Sequence, residues 1–243
     1  MRDHNADASL SRITRVAGFL FLLTFIFPTI NFLLLSKFMV PENVIATANN
    51  IMADELLFRI GILNELIISA LAVVFGLTLY IILRSVKKDI ALLALFFKLT
   101  EAILLAVVAL GHFIALLILD ERASLTVFGP EQIQALAGSF INLYFYTGAV
   151  GLVFHGLNST VFLYLFFKSK YVPRELASFG ILSYALVFMY AVIMILAPDH
   201  ATKITVQTIC LAPSILLELL LGLWLLIKGL NVQPQDDPAP GSA

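Results

Sequence analysis

The sequence predicts an all-α fold, a polytopic bundle of six transmembrane helices with both chain termini in the cytoplasm. Of its 243 residues, 60% are hydrophobic and only 13% are charged, whereas soluble domains average about 45 to 50% apolar and about 25% charged residues. The apolar residues form nearly continuous runs rather than the amphipathic patterns of a soluble core. The runs are also too long, and too uniform, for the alternating strands of a membrane barrel.

Six segments are long enough to cross a bilayer, since a helix needs about 20 mostly apolar residues to span about 30 Å of hydrocarbon. The predicted spans cover approximately residues 16–36, 57–83, 90–119, 135–167, 176–196 and 206–227. They form a predicted transmembrane domain over residues 16–230, preceded by a cytoplasmic segment, 1–15. Residues 231–243 contain three prolines and two adjacent aspartates, a composition typical of a disordered tail.

The positions of lysine and arginine predict the orientation, because short loops rich in these residues tend to remain cytoplasmic. Eleven of the 15 basic residues fall beside the termini and the even-numbered connections: Arg2, Arg12, Arg15, Arg84, Lys87, Lys88, Lys98, Lys168, Lys170, Arg174 and Lys228. The opposite side receives only Lys37, Arg59, Arg122 and Lys203. This alternation is the one that six spans produce.

The first outer connection, from Pro41 to Leu56, carries apolar residues at helical spacing. Such a pattern is compatible with an interfacial helix or with an outward extension of the second span. We expect the extension.

Several classes of function are disfavoured by composition and motif content. The formal net charge is −1, and the absence of a basic stripe argues against nucleic acid as a partner. The nucleotide-binding glycine motifs and the HExxH metal motif are missing, so no cofactor is predicted. Cys210 is the single cysteine and is interpreted as a small packing residue.

The strongest candidates for function are ionisable and polar residues inside the predicted spans. A carboxylate at the middle of the bilayer costs about 2.5 to 3.5 kcal/mol on insertion scales, so it usually faces the bundle interior and has a partner or a role. We therefore predict ligand- or ion-binding side chains at eight positions: Glu65, Glu101, His112, Asn142, Tyr144, His155, Asn158 and Glu218.

Helical spacing places most of these residues on polar or small faces of their spans. Counting from the span ends predicts two tiers, with Glu101, His155, Asn158 and Glu218 near the middle or inner half. Asn31, Glu65, His112 and Asn142 fall in the outer half. The fifth span offers only a serine and two tyrosines, so we expect it to be peripheral.

Each candidate also has a structural interpretation. Lys98 precedes Glu101 by three residues, so the two side chains can pair within one helix while the lysine extends toward the inner headgroups. Gly148 and Gly151 are typical of close helix packing. A metal site would need three converging ligands, and His155, Glu101 and Glu218 provide only a weak signal, so no metal is predicted.

Lys168, Lys170 and Arg174 lie at the predicted inner headgroup level. A basic hairpin of this kind usually reflects orientation in the membrane. The alternative is a specific site for an anionic lipid headgroup.

Several segments of the chain resemble a bacterial family of six-span membrane proteins known only as domain of unknown function 4386. The resemblance rests on RVAGFLFLL from Arg15, ADELLFRIGILNELI from Ala53 and LYIILRSVKKDIALLALFFKLTEA from Leu79. It continues with GLVFHGLNSTVFLYLFFKSKYVPRELASFGILSY from Gly151 and APSILLELLLGLWLLIKGL from Ala212. The resemblance implies one six-helix domain in a bacterial inner membrane and transfers no activity, substrate or catalytic residue.

Three classes of function fit these observations. The first is a membrane protein that handles a small molecule, a lipid or an ion through its polar interior. The second is a structural or regulatory subunit, in which the polar faces only hold helices together. The third is a membrane-embedded enzyme that uses Glu101, His155 and Glu218 as acid-base groups or metal ligands. The sequence determines neither the ligand nor the oligomeric state.

Overall fold

All of the regular secondary structure in the described part of the chain is helical. The structure is a computed structural model, and it describes residues 4–40, 43–120 and 129–231. Within these ranges the helices are α1 (His4–Leu35), α2 (Val44–Ala53), α3 (Glu55–Leu119), α4 (Pro130–Ser169), α5 (Arg174–Leu196), α6 (Pro198–Ala201) and α7 (Ile204–Ile227). Five of them are long and apolar enough to cross a membrane. The all-α polytopic bundle predicted from sequence is thus observed.

The longest helix, α3, consists of two antiparallel halves. Its 65 residues would extend about 97 Å if straight, but Lys87 has non-helical angles of φ −159° and ψ 98°. Residues on either side of Lys87 meet across the hairpin: the Ser69 hydroxyl donates a hydrogen bond to the Ala102 carbonyl at 2.8 Å. The halves, 55–86 and 88–119, correspond to the second and third predicted spans.

Counting these halves separately, six long segments form a closed ring. In the described residues, α1 packs against α3, α3 against α4, α4 against α5, α5 against α7, and α7 against α1. Buried α1 residues reach the first half of α3, as in the edge-to-face contact between Phe21 and Phe75. The fifth predicted span, α5, is therefore an integral member of the ring, and the expectation that it is peripheral was wrong.

One end of the ring collects the basic connections, and we call it the basic end. The backbone amide of Asn231, beyond α7, donates to the carbonyl of Tyr171 in the α4–α5 turn at 2.8 Å. The Tyr171 hydroxyl lies 3.3 Å from the hydroxyl of Ser85, beside the reversal of α3. Gly18 of α1 lies against Leu226 of α7. The even-numbered connections therefore meet at one end, as the alternation of basic residues predicts.

One sequence expectation about helix ends needs correction. The first predicted span, about residues 16–36, falls largely within the longer helix α1, which begins at His4. The first outer connection is not an extension of the second span, because Asp54 has non-helical angles of φ −139° and ψ 61° and separates α2 from α3. The Asp54 carboxylate accepts a hydrogen bond from the Leu57 amide and caps α3. The predicted tail beyond Asn231 lies outside the described residues.

Close helix approaches occur at glycines other than those expected. A Cβ atom on Gly18 would lie 2.6 Å from the Leu226 backbone nitrogen, and one on Gly156 would lie 2.9 Å from that of Phe188. By contrast, a Cβ on Gly148 or Gly151 would meet nothing within 4 Å. The interpretation of these last two glycines as packing contacts was wrong.

The centre of the ring near the basic end is filled by apolar side chains. Phe21, Phe75, Phe162 and Phe166 belong to one buried cluster contributed by α1, α3 and α4. A cavity of about 10 Å³ remains among them, which is room for about one water molecule. Asn158, Ser159 and Tyr184 provide its polar lining.

Candidate functional site

A buried ion pair forms the start of a polar network in the half of the bundle nearer the basic end. The Lys98 ammonium lies 2.8 Å from Oε1 and 3.0 Å from Oε2 of Glu101. The i, i+3 spacing brings the two side chains together on one face of the second half of α3. Lys98 is only 3% exposed. The predicted pair is thus present, but the expectation that Lys98 extends to the headgroups was wrong.

Glu101 joins α3 to α4 through two further contacts. Its Oε1 lies 3.0 Å from Nδ1 of His155, and its Oε2 accepts a hydrogen bond of 2.7 Å from the Asn158 amide. His155 and Asn158 are three residues apart and therefore share one face of α4. Glu101 consequently meets three partners within the protein interior.

His155 extends the network toward α7. Its second nitrogen, Nε2, lies 4.0 Å from Oε1 of Glu218. The same carboxylate oxygen accepts a hydrogen bond of 2.6 Å from the Tyr184 hydroxyl of α5. The His155 ring also packs edge-on against Tyr184, with centroids 5.2 Å apart.

We call this set the inner cluster: Lys98, Glu101, His155, Asn158, Tyr184 and Glu218. Four of the six ring segments contribute to it, and His155 bridges two carboxylates through its two nitrogens. The side chains of His155 and Glu218 are 25% and 15% exposed, whereas those of Lys98 and Glu101 are almost completely buried. The cluster therefore has one sealed end and one end that is partly open.

A second cluster lies in the half of the bundle away from the basic end. Nδ1 of His112 lies 2.9 Å and 3.0 Å from the two carboxylate oxygens of Glu65. The Asn31 amide of α1 donates to Oε1 of Glu65 at 3.3 Å. Asn64 in turn donates to Oδ1 of Asn31 and to the Phe27 carbonyl. These contacts join α1 to both halves of α3.

Two aromatic rings enclose the His112 imidazole. Tyr144 of α4 stacks on it with centroids 6.0 Å apart, and Phe58 meets it edge-on at 5.7 Å. We call Asn31, Asn64, Glu65, His112 and Tyr144 the outer cluster. His112 and Glu101 are eleven residues apart on one helix, which corresponds to about 16 Å.

The comparisons with known proteins match the chain to one family. The model of the family described as "Domain of unknown function (DUF4386)" matches residues 16–229. The chain belongs to this family. No curated protein and no solved structure matches the chain. The family description of this DUF4386 domain names no activity.

Seven of the eight residues predicted to bind a ligand or ion in this DUF4386 domain belong to one or the other of the two clusters. Glu101, His155, Asn158 and Glu218 lie in the inner cluster. Glu65, His112 and Tyr144 lie in the outer cluster. Asn142 is exposed and belongs to neither.

Lys168, Lys170 and Arg174, predicted to meet lipid headgroups, are exposed at the α4–α5 turn. Lys170 ends α4 in the left-handed region, with φ 57°. The Arg174 guanidinium lies over the Phe167 ring, 5.4 Å from its centroid. These contacts orient the turn and identify no ligand.

Lys98 and Tyr184 were missing from the predicted site. Lys98 carried a usable signal, since its spacing from Glu101 already indicated an intrahelical pair. Tyr184 carried none, because its role depends on α5 lying beside α7, which the sequence pattern does not reveal.

In the described ranges, no group of three histidine, cysteine, aspartate or glutamate side chains converges to hold a metal ion. His155 illustrates the geometry: its nitrogens face different carboxylates on opposite sides of the ring. His155 therefore lies between the carboxylates of Glu101 and Glu218 and connects them.

Proposed function

We propose that this integral membrane protein handles protons, and that the inner cluster is one section of the path along which they move. The observation that carries the proposal is the row of titratable groups from Glu101 through His155 to Glu218, which crosses from α3 through α4 to α7. Ionisable groups of this kind inside a membrane commonly serve as proton relays.

The charges of the inner cluster balance when it holds one mobile proton. The Lys98 ammonium and the Glu101 carboxylate neutralise each other at 2.8 Å. The remaining pair, His155 and Glu218, is neutral overall when they share a single proton and negative when they have none. Because an uncompensated charge in an apolar interior is costly, this pair favours the state with one proton.

A short movement is enough to pass that proton from one group to the other. Nε2 of His155 and Oε1 of Glu218 are 4.0 Å apart, whereas a hydrogen bond between nitrogen and oxygen needs about 2.7 to 3.2 Å. Rotation of either side chain, or one bridging water, closes the gap. In the transfer, the N–H bond of His155 breaks and an O–H bond forms on Glu218.

The packing of the bundle centre favours a proton over a lipid or a larger solute. The cavity of about 10 Å³ borders the inner cluster at Asn158, Ser159 and Tyr184. Binding pockets for drug-sized molecules are about 300 to 1,000 Å³. This cavity accommodates a water molecule beside the route and nothing larger.

The test is proton flux into vesicles that contain the purified protein. A potassium gradient with valinomycin sets the membrane potential, and an enclosed pH-sensitive dye reports proton entry. We expect flux above that of protein-free vesicles and a loss of at least tenfold in Glu218→Gln. The control is Glu175→Gln, which removes an exposed carboxylate in the first turn of α5 and should leave the flux unchanged.

Equal flux in the wild type and in protein-free vesicles, under either sign of the potential, would refute uncoupled proton conduction. Repeating the measurement with the uptake of a co-substrate from a metabolite mixture tests coupled transport. If Glu218→Gln conducts protons as fast as the wild type, protons do not move through the inner cluster.

The orientation and location are part of the proposal. We place the basic end in the cytoplasm and the protein in the bacterial inner membrane, because basic residues concentrate at that end. Labelling of single cysteines placed at Lys87 and at Lys203 with an impermeant reagent tests the orientation. Reagent applied from outside should modify only the second.

The exposed Lys168, Lys170 and Arg174 support a weak site for an anionic lipid headgroup at the basic end. Native mass spectrometry with anionic and neutral lipids tests it. Retention of the anionic lipid should fall in the triple glutamine variant.

A second candidate function, a structural or regulatory subunit, is favoured by the close packing of the centre. It requires a partner that purifies with the protein at fixed stoichiometry. It also predicts that Glu218→Gln changes partner retention, with no flux in any variant.

A further inference from the structure

The outer cluster contains a buried nitrogen that lacks a hydrogen-bond partner. His112 is 0% exposed, and its Nε2 meets no donor or acceptor among the described residues. No donor among the described residues occupies the lone pair of this nitrogen, so the lone pair is free to take a proton.

The other nitrogen of the same ring fixes where the proton lies. Nδ1 of His112 faces both oxygens of Glu65, at 2.9 Å and 3.0 Å. An ionised carboxylate can only accept hydrogen bonds, so Nδ1 carries the hydrogen whenever Glu65 is charged. Nε2 is then left with an unused lone pair in the neutral ring.

Among the described residues, the side chains in contact with His112 carry one negative charge. Glu65 comes from the first half of α3, and the uncharged rings of Tyr144 and Phe58 pack on the imidazole. Glu65 in turn accepts a hydrogen bond from the uncharged Asn31 amide of α1. The buried residues of α2, which packs against α3 and α4, are the uncharged Thr47, Ala48 and Ile51. None of these contacts involves a lysine or an arginine.

We infer that Glu65 and His112 form a second proton-binding site, which takes one proton on Nε2 of His112. The proton adds to the nitrogen lone pair and forms an N–H bond, and no other bond changes. The imidazolium and the Glu65 carboxylate then form a neutral pair, which the apolar surroundings favour over an isolated carboxylate. Tyr144, stacked on the ring, adds the attraction of an aromatic face for a cation.

This site is separate from the route proposed through the inner cluster. About 16 Å of helix lies between His112 and Glu101, and the intervening interior positions Val108 and Ala109 are apolar. The contacts of His112 alone define this site, and proton binding there does not require that the protein conduct protons.

The test is nitrogen-15 NMR of the full chain, labelled only at histidine, in lipid nanodiscs over a range of pH. The chain has four histidines, and His112→Asn identifies the signals of interest. At the alkaline end of the range, we expect His112 to show a protonated Nδ1 and an unprotonated Nε2. Acidification should convert Nε2 to the protonated form reversibly while Nδ1 keeps its hydrogen.

Two variants make the outcome specific. Glu65→Gln should abolish the fixed tautomer and give a mixture, because an amide can both donate and accept. Asn142→Ala, an exposed position in the same half of the bundle, should leave the His112 signals unchanged. If His112→Asn does not fold, single replacements of His4, His155 and His200 assign the remaining signal by elimination.

An Nε2 that is protonated at every pH, or one that never gains a proton while the fold persists, overturns the inference. If the wild-type protein gives no proton flux in vesicles but His112 gains a proton in the NMR measurement, the proposed function is refuted and this site is supported. If the protein gives flux but Nε2 of His112 never gains a proton, the site is refuted and the proposed function is supported.

Discussion

The inner and outer clusters use the same construction and differ in their charges. In each, a glutamate contacts Nδ1 of a histidine at about 3 Å and accepts a hydrogen bond from an asparagine. The inner glutamate also meets Lys98, and its histidine faces a second carboxylate, Glu218. The outer cluster has neither addition. The second nitrogen of the histidine therefore distinguishes the two clusters. Nε2 of His155 faces another carboxylate, whereas Nε2 of His112 faces no hydrogen-bond partner among the described residues.

The largest expected difference between the clusters is in stability, and its cause is Lys98, which only the inner cluster contains. Glu101→Gln leaves the Lys98 ammonium buried without its partner, so we expect a loss of about 3 to 5 kcal/mol in stability. While His112 is neutral, Glu65→Gln strands no cation and should cost about 1 to 2 kcal/mol. Unfolding in mixed micelles, followed by circular dichroism, measures both.

The double variant Lys98→Met/Glu101→Leu is the control for that comparison. Because it removes both charges at once, it should recover most of the stability lost in Glu101→Gln. Equal losses in Glu101→Gln and Glu65→Gln would show that Lys98 does not distinguish the two clusters.

A smaller difference is expected from the glycines beside the two histidines. A Cβ on Gly156 would press on the Phe188 backbone at 2.9 Å, whereas one on Gly111 would meet the end of the Leu143 side chain at 3.0 Å. Gly156→Ala should therefore cost about 1 to 3 kcal/mol, and Gly111→Ala less. Thermal unfolding in detergent measures the order.

Gly148→Ala is the matched control, since its Cβ meets nothing within 4 Å. We expect it to be neutral or to stabilise the helix slightly. A loss in Gly148→Ala as large as that in Gly156→Ala would contradict the packing described for α4 and α5.

Tyr184→Phe removes one hydrogen bond, the 2.6 Å contact with Glu218. Hydrogen bonds between membrane helices contribute about 0.6 kcal/mol on average, so a loss of that order is expected. Tyr164→Phe, at an exposed tyrosine, should change stability by less. An equal change in both variants would argue that Glu218 does not use the Tyr184 hydroxyl.

The smallest effect should come from an ion pair outside both clusters. Glu55 and Arg59 lie 2.6 Å apart on the first turns of α3, with both side chains more than 40% exposed. Glu55→Gln should cost less than about 0.5 kcal/mol and become neutral in high salt. A loss comparable with that of Glu65→Gln would mean that burial does not separate these carboxylates.

Much of the fold followed from the sequence because each span satisfies its own backbone hydrogen bonds and must be apolar along its length. The runs that contain α5 and α7 were predicted to within a few residues of the observed helices. The break at Asp54 was missed, since an aspartate within an apolar periodic segment also fits a continuous helix.

Contacts in the candidate site could be predicted between residues on one helix but not between residues on different helices. Lys98 and Glu101 were paired by their spacing alone. The division of Glu101, His155 and Glu218 from Glu65 and His112 followed from depth along the spans. The order of helices around the ring did not, so the contact of Tyr184 with Glu218 was not foreseen.

The most direct test of the central claim is a double-variant cycle on proton flux in vesicles. If His155 and Glu218 share one proton on one route, His155→Asn, Glu218→Gln and the double variant should all lose flux to the same extent. Losses that multiply in the double variant would show that the two residues act independently. That result would contradict a proton route through the inner cluster.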